Sequence, residues 1–204
     1  MEKMVNQIIL ASASPRRKEI LQKLEIPFKI EGNSYEENMS LDLPPADLAI
    51  HLSRGKAETV ASKHTNALVI GADTFIVFQG NLLGKPRSPE EAKQTLKKLS
   101  GQKVSIITGF TIINTMTDEV KSKVSEASVT LKDLTDEDIN EYVASGDPLD
   151  KAGSFAIQTL GAILIEKIEG DFLNIMGLPL GDLADTLKEM GISVWELRRN
   201  SGVV

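Results

Sequence analysis

Cysteine is absent from this sequence of 204 residues. The absence excludes a thiolate nucleophile, a zinc–thiolate site, an iron–sulfur cluster and a disulfide framework. Histidine is almost absent too, with two copies in the whole chain. A histidine-rich metal site is therefore excluded as well, and any chemistry must come from other side chains.

The chain also lacks a long apolar run. No segment approaches the length of a membrane span, and the N-terminal residues lack the apolar stretch of a signal peptide. We therefore expect a cytoplasmic protein that binds no membrane. The formal charge of −6 argues against broad binding of nucleic acid. It leaves room for a local basic cleft, because concave walls concentrate the field of a few charges.

Two common catalytic motifs are missing from the sequence. There is no Walker A motif, G-x-x-x-x-G-K-[ST], and no G-x-S-x-G serine-hydrolase motif. The length suits one α/β domain or two small lobes. Internal repeats, low-complexity segments and long linkers are not found.

Apolar periodicity and turn residues predict an alternation of helices and hairpins. Strands are predicted at residues 8–10, 67–71, 74–78, 82–83, 103–114, 120–132, 155–158 and 162–168. Helices are predicted from Pro15, over 46–63, from Ser88 to before Gly101, between Thr135 and Gly146, and over 180–190. Residues 26–45 resemble a loop, and the pattern leaves open whether the tail from Ile192 packs as a last strand. This order favours a mixed sheet over a doubly wound parallel one.

The most informative stretch is LASASPRR at residues 10–17. It predicts a strand end, a loop of small residues and a helix that begins at Pro15, with Ser14 as its N-cap. Small residues let an anion approach the backbone, and the free N–H groups of a helix start attract negative charge. With Arg16 and Arg17 beside them, these groups suit a phosphate. The same residues also fit an ordinary helix start with solvated arginines.

Two carboxylate positions are candidates for proton transfer or metal binding. GADT at residues 71–74 places Asp73 just after a predicted buried strand, where a rigid sheet aims the side chain. A turn-capping aspartate is the alternative. Glu36 and Glu37 form an acidic pair in the predicted loop. Asp73 together with Glu37 suits a divalent cation or a general base.

Three further positions suit a nucleotide ligand. Lys85 is flanked by Gly84 and Pro86, so its backbone is constrained, although a plain turn lysine fits as well. Lys56 follows Gly55 in mid-helix, where glycine costs about 1 kcal/mol relative to alanine. This indicates close packing or close ligand approach there, with a solvated basic face as the alternative. The Gln158 amide can both donate and accept, which suits a nucleobase edge, although it could equally face water.

Five blocks of the sequence, in this order, resemble the signature blocks of the Maf family. They are LASASPRR at 10–17, GADT at 71–74, GKP at 84–86, DKAG at 150–153 and GLPL at 177–180. Together they extend over nearly the whole chain, and five blocks in order are far more specific than one.

The resemblance implies an α/β, inosine-triphosphatase-like fold, in which helices flank an elongated mixed β-sheet. Residues 1–204 would form a single domain of two lobes with a central cleft, and homodimers are usual in the family. It also implies a nucleoside triphosphate pyrophosphatase that cleaves its substrate to the monophosphate and pyrophosphate. The implied cofactor is a divalent metal cation, Mg²⁺ or Mn²⁺.

The resemblance also implies a catalytic set. Asp73 matches the family's proposed proton acceptor, and Glu37, Lys56 and Lys85 match its other polar cleft positions. Arg17 is expected to offset charge on the triphosphate. Asp73 and Glu37 are the expected metal ligands, and whether Asp73 acts as base or as ligand stays open.

Substrate binding is expected from a second set of residues. Ser12 and Ser14 would contact phosphate. Arg16, Thr74 and Gln158 occupy the three positions that distinguish the family's subgroups, and this combination resembles the dTTP/UTP pyrophosphatases. The 7-methyl-GTP subgroup typically carries Trp, Gln and Glu there.

One departure and two alternative functions stay open. The family often has an Asp-x-Asp-Glu run where this chain has SYEE at residues 34–37, so the second carboxylate could be Glu36 or Glu37. The alternatives to dTTP and UTP hydrolysis, which could also clear modified pyrimidine nucleotides, are 7-methyl-GTP hydrolysis and a non-catalytic nucleotide-binding regulator of cell division.

Overall fold

A computed structural model of the chain describes residues 7–38 and 41–202. The start of the N-terminal segment, two residues of the predicted 26–45 loop and the last two residues of the tail lie outside the described residues. No helix in the described part of the chain is long and apolar enough to cross a membrane.

The described residues contain a seven-stranded mixed sheet. The strands are β1 (Ile8–Leu10), β2 (Lys29–Ile30), β3 (Leu68–Phe78), β4 (Asn81–Leu83), β5 (Lys103–Asn114), β6 (Glu119–Leu131) and β7 (Ile165–Glu169). Their order in the sheet is β2-β1-β3-β5-β6-β7, and β4 pairs with β3. β1 runs parallel to β2 and β3, whereas β4 is antiparallel to β3 and β7 to β6. The predicted mixed α/β fold is confirmed.

Helices flank this sheet, and several begin where the sequence predicts. They are α1 (Pro15–Gln22), α2 (Pro45–Ala61), α3 (Pro89–Leu99), α4 (Asp136–Ala144), α5 (Phe172–Met176), α6 (Leu180–Glu189) and α7 (Val194–Asn200). Ser88 and Thr135 cap α3 and α4 through their side chains. Ser14 is the N-cap residue of α1 by position, but its side chain makes no capping hydrogen bond. Within the described part of the tail, Val194–Asn200 form a helix, not a last strand.

Three predicted strand boundaries are wrong. The strands predicted at 67–71 and 74–78 form one continuous strand, β3, so Asp73 lies inside it rather than after it. Residues 155–158 are not a strand, and β7 begins at Ile165 after a short 3₁₀ turn. Gly153 and Ser154 both have positive φ, which turns the chain before residue 155. The apolar residues that suggested a strand there, such as Phe155, are buried in a core instead.

The chain divides into two compact units. The first consists of Met1–Thr74, Thr108–Ser125 and Gly177–Val204, and the second of Phe75–Ile107 and Glu126–Met176. Each has its own buried apolar cluster. The expected single domain of two lobes with a cleft stays a prediction.

In the first unit, two glycines let α2 pack directly on the sheet. A Cβ at Gly71 of β3 would lie 2.3 Å from the Ser53 carbonyl oxygen, and a Cβ at Gly109 of β5 would lie 2.4 Å from the Ala49 carbonyl carbon. Both contacts are with helix backbone, which cannot move aside as a side chain can. The helix therefore lies close enough to the strands for a side chain of α2 to reach one of β3.

Candidate active site

Lys56 of α2 and Asp73 of β3 form the centre of the candidate site. The Lys56 Nζ lies 3.1 Å from Asp73 Oδ1 and 2.8 Å from Glu37 Oε1. Lys56 and Asp73 are largely buried, with side chains 8% and 12% exposed, whereas the Glu37 side chain is 45% exposed. Buried charges persist in proteins when they are paired, and this pairing explains how Asp73 can lie inside a buried strand.

Arg17 is the second cation of the site, and four groups hold it. Its Nε donates to the Gly177 carbonyl oxygen at 2.9 Å, its Nη1 to Ser12 Oγ at 3.4 Å and its Nη2 to Thr74 Oγ1 at 3.2 Å. Nη2 also lies 3.9 Å from Asp73 Oδ1. Burial lowers the pKa of the Arg17 guanidinium, and the Asp73 carboxylate acts in the opposite direction. An arginine keeps its charge even so.

The two oxygens of Asp73 differ in their surroundings. Oδ1 faces both cations and also accepts a hydrogen bond from the Thr74 backbone N–H at 3.1 Å. Oδ2 is buried and has no hydrogen-bond partner within the described protein. A buried polar atom without a partner is costly, so Oδ2 is the atom available to a proton, a cation or a ligand.

In the loop before α1, the hydrogen bonds converge on the side chain of Ser12. Ser12 is buried, and its Oγ accepts from the Ser14 backbone N–H at 3.2 Å as well as from Arg17. Arg16, next to Arg17 on α1, is exposed. The two adjacent arginines therefore face different surroundings, which the sequence alone does not reveal.

Thr74 brings a residue into the site that sequence analysis missed. Its Oγ1 accepts from Arg17 and lies 3.0 Å from Thr108 Oγ1. Thr108 belongs to β5 and is fully buried. No sequence motif contains it, because its role depends on the pairing of strands. Gly177, the first residue of the GLPL block, also contacts Arg17, and the motif itself gives no sign of this contact.

The two glutamates of the acidic pair differ in their contacts. Glu37, not Glu36, forms the ion pair with Lys56, and Glu36 is exposed. Arg54, two residues before Lys56, is exposed and pairs with Glu58 on the same helix at 2.7 Å. Within this segment, Arg54 is therefore solvated, whereas Lys56 is buried in the candidate site.

The remaining two predicted site residues, Lys85 and Gln158, belong to the second unit. Lys85 is exposed and follows β4, and Gly84 is fixed because its carbonyl accepts from the Gly153 N–H at 2.9 Å. Gln158 is exposed in a turn. The other eight predicted residues belong to the first unit.

The turn that carries Gln158 is supported by a partly buried carboxylate. Asp147 Oδ2 accepts hydrogen bonds from Tyr142 Oη and Thr159 Oγ1, both at 2.7 Å. Burial acts to raise the pKa of the Asp147 carboxyl, but the hydrogen bonds from Thr159 and Tyr142 outweigh it and hold that pKa below its ordinary value. A Cβ at Gly161 would lie 2.6 Å from Tyr142 Oη, so the turn is closely packed.

Comparisons with known proteins agree with this arrangement of motifs. A family model described as Maf-like protein matches residues 7–190. A dTTP/UTP pyrophosphatase of Methanosarcina mazei is 46% identical over 193 residues, which cover 94% of this chain and 98% of that protein. One of Moorella thermoacetica is 42% identical over 191 residues, which cover 94% and 98%. The structure of the Staphylococcus aureus Ham1 protein matches with 17% identity and a TM-score of 0.46, over 63% of this chain and 73% of that one.

Proposed function

The chain belongs to the Maf family, and on this premise we propose that it hydrolyses dTTP and UTP to the monophosphate and pyrophosphate. Relatives at 40–46% identity over nearly their whole length carry that activity in their names. The structural observation that supports it most is the Lys56 ammonium, paired with both Asp73 and Glu37 and accompanied by Arg17.

The basic residues are proposed to bind the triphosphate. Arg17 and Lys56 are fixed cations in a largely buried setting, where charge stabilisation is stronger than in water and needs no reorganisation during the reaction. Ser12 and Ser14 are proposed to contact phosphate through the loop before α1. Lys85 is proposed as a further phosphate cation.

Asp73 is proposed to accept the proton of the attacking water. The water oxygen forms a bond to the α-phosphorus, the bond between that phosphorus and the α–β bridging oxygen breaks, and pyrophosphate leaves with the bridging oxygen. The water proton passes to Asp73 Oδ2, the oxygen without a hydrogen-bond partner. Glu37 is the proposed second carboxylate.

The carboxylates present fit a divalent cation. Among the described residues there is no group of three or more His, Asp or Glu side chains that could hold a metal, so the protein would contribute two ligands, Asp73 and Glu37. This suits Mg²⁺ and Mn²⁺, since Mg²⁺ is usually held by one or two carboxylates together with substrate phosphates and water. When bound, the cation supplies Lewis-acid polarisation of the phosphate oxygens and makes water more acidic.

Arg16, Thr74 and Gln158 are proposed to select the pyrimidine base. Arg16 and Gln158 are exposed, and Thr74 is held by Arg17 and Thr108. We further propose that the protein is a homodimer, as is usual for the family it belongs to, and that it acts in the cytoplasm.

A panel of nucleoside triphosphates assayed for pyrophosphate release tests the proposal. dTTP and UTP should be the best substrates, and activity should disappear with EDTA and return with excess Mg²⁺ or Mn²⁺. If 7-methyl-GTP is hydrolysed best, the subgroup assignment is wrong. If nucleotides bind but none releases pyrophosphate, the chain is a nucleotide-binding regulator instead.

A further inference from the structure

Tyr35 lies directly on the backbone of α2. A Cβ at Gly55 would lie 2.3 Å from Tyr35 Cε2 and Cζ, so any other residue at position 55 would displace the ring. One helical turn earlier, His51 Nε2 lies 3.2 Å from Tyr35 Oη. The ring is thus held at its face and at its hydroxyl end, and the mid-helix glycine noticed in the sequence is explained by close packing.

The segment that carries Tyr35 also carries Glu37. Two residues after Tyr35, Glu37 forms its ion pair with Lys56, which directly follows the covered glycine. The Glu37 side chain is 45% exposed, whereas that of Lys56 is 8% exposed, so water reaches the carboxylate end of the pair and competes with the lysine for it. A further attachment of the segment would keep the carboxylate at the lysine. Upstream, Asn33 Nδ2 donates to the Ala11 carbonyl at 3.0 Å and fixes the start of the segment.

We propose that Tyr35 is a positioning residue that holds Glu37 against Lys56 through the packing of its ring on Gly55. The inference rests on the proposed function, in which Glu37 and Asp73 share the Lys56 ammonium in the active site. Tyr35 acts through Glu37 and not on the substrate. Its ring matters more than its hydroxyl, because the bond to His51 is exposed.

A double-mutant cycle tests whether Tyr35 acts through Glu37. Tyr35→Ala should lower kcat for dTTP about tenfold, and Tyr35→Phe, which keeps the ring, should stay within about twofold of the wild type. In a Glu37→Gln background, Tyr35→Ala should have no further effect, since the group that it positions is already lost. An equal loss in both backgrounds would overturn the proposal.

Two glycine variants provide a matched comparison. Gly55→Ala introduces a methyl group under the ring and should lower kcat as much as Tyr35→Ala does. Gly181→Ala, in α6, places the same methyl group in open space and should leave kcat unchanged. Similar kcat values for the two glycine variants would contradict the proposed packing. If Gly55→Ala does not fold, Tyr35→Ala still carries the test.

Chemical labelling of Lys56 tests the proposal without turnover. Its side chain is 8% exposed, whereas that of Lys63 is 52% exposed, so Lys63 serves as the internal reference. With acetic anhydride and mass spectrometry, acetylation of Lys56 relative to Lys63 should rise several-fold in Tyr35→Ala and stay unchanged in Gly181→Ala. Unchanged Lys56 labelling in folded Tyr35→Ala would overturn the inference. A wild type that releases no pyrophosphate would instead overturn the proposed function.

Discussion

The Lys56 ammonium lies 3.1 Å from the Asp73 carboxylate, and both side chains are largely buried. The two residues are on different elements, α2 and β3, and they meet because Gly71 lets the helix backbone lie against the strand. The packing of α2 on β3 therefore sets the distance between the two charged groups of the candidate site. A change to either charge, or to the glycine, should affect both stability and activity in a way that can be measured.

Asp73→Asn should lower kcat by about two to four orders of magnitude, the usual contribution of a general base. The amide keeps the size of the side chain, so the fold should be retained, but it cannot take the proton from water. Pyrophosphate release from dTTP measures the effect, and circular dichroism checks the fold. Asp185→Asn, at an exposed position of α6, is the control. Turnover near that of the wild type would refute the role given to Asp73.

Lys56→Met should destabilise the protein by about 3 kcal/mol, because it leaves the buried Asp73 charge without its nearest cation. Arg54→Met removes an exposed cation from the same helix and should cost no more than about 0.5 kcal/mol. Urea unfolding at neutral pH compares the two variants. Equal losses of unfolding free energy would mean that burial of Lys56 has no energetic consequence.

Gly71→Ala should destabilise the protein by about 1–3 kcal/mol, as overpacked cores do. The added methyl group would lie 2.3 Å from the Ser53 carbonyl oxygen, so strand and helix must separate, and activity should fall as Lys56 moves away from Asp73. Gly32→Ala has open space around the new methyl group and should change neither quantity. Thermal melting and pyrophosphate release together check this; a stable Gly71→Ala variant with full activity would contradict it.

Glu169 should make the stability of the folded protein depend on pH in the acid range. Hydrogen bonds from Lys103 and Lys167 lower the pKa of its carboxyl to about 2. A carboxyl with a lowered folded-state pKa stabilises the fold above its unfolded-state pKa, and this stabilisation is lost as the pH falls. The stability advantage of the wild type over Glu169→Gln should therefore shrink between about pH 4.5 and pH 2.

Low ionic strength is the proper condition for that measurement, because salt screens exposed pairs. Glu166→Gln, on the same strand, is the matched control. Direct observation of the Glu169 carboxyl by NMR should place its titration midpoint near 2. A midpoint near the ordinary value for glutamate would show that the two lysines do not lower the pKa of the Glu169 carboxyl.

The sequence pattern predicts secondary structure correctly where the residues of a single helix or strand are sufficient to specify it. The strand–loop–helix of residues 8–22 and the start of α3 at Pro89 follow from apolar periodicity and from proline at the first helical position. The pattern failed at residues 155–158, where positive φ at Gly153 and Ser154 turns the chain. Serine gives little warning of a left-handed conformation, so that turn is not visible in the sequence.

The sequence by itself determined the place of most elements, though not of β2, α5 and α7. It also determined the mixed character of the sheet and the family motifs that identify the candidate residues. The tertiary structure decided which charges are buried and which partners they have. Lys56 is buried and Arg54 solvated, Glu37 rather than Glu36 meets the lysine, and Arg17 is held by a carbonyl 160 positions away. Periodicity reports neighbours along the chain, whereas burial and ion pairing depend on neighbours in space.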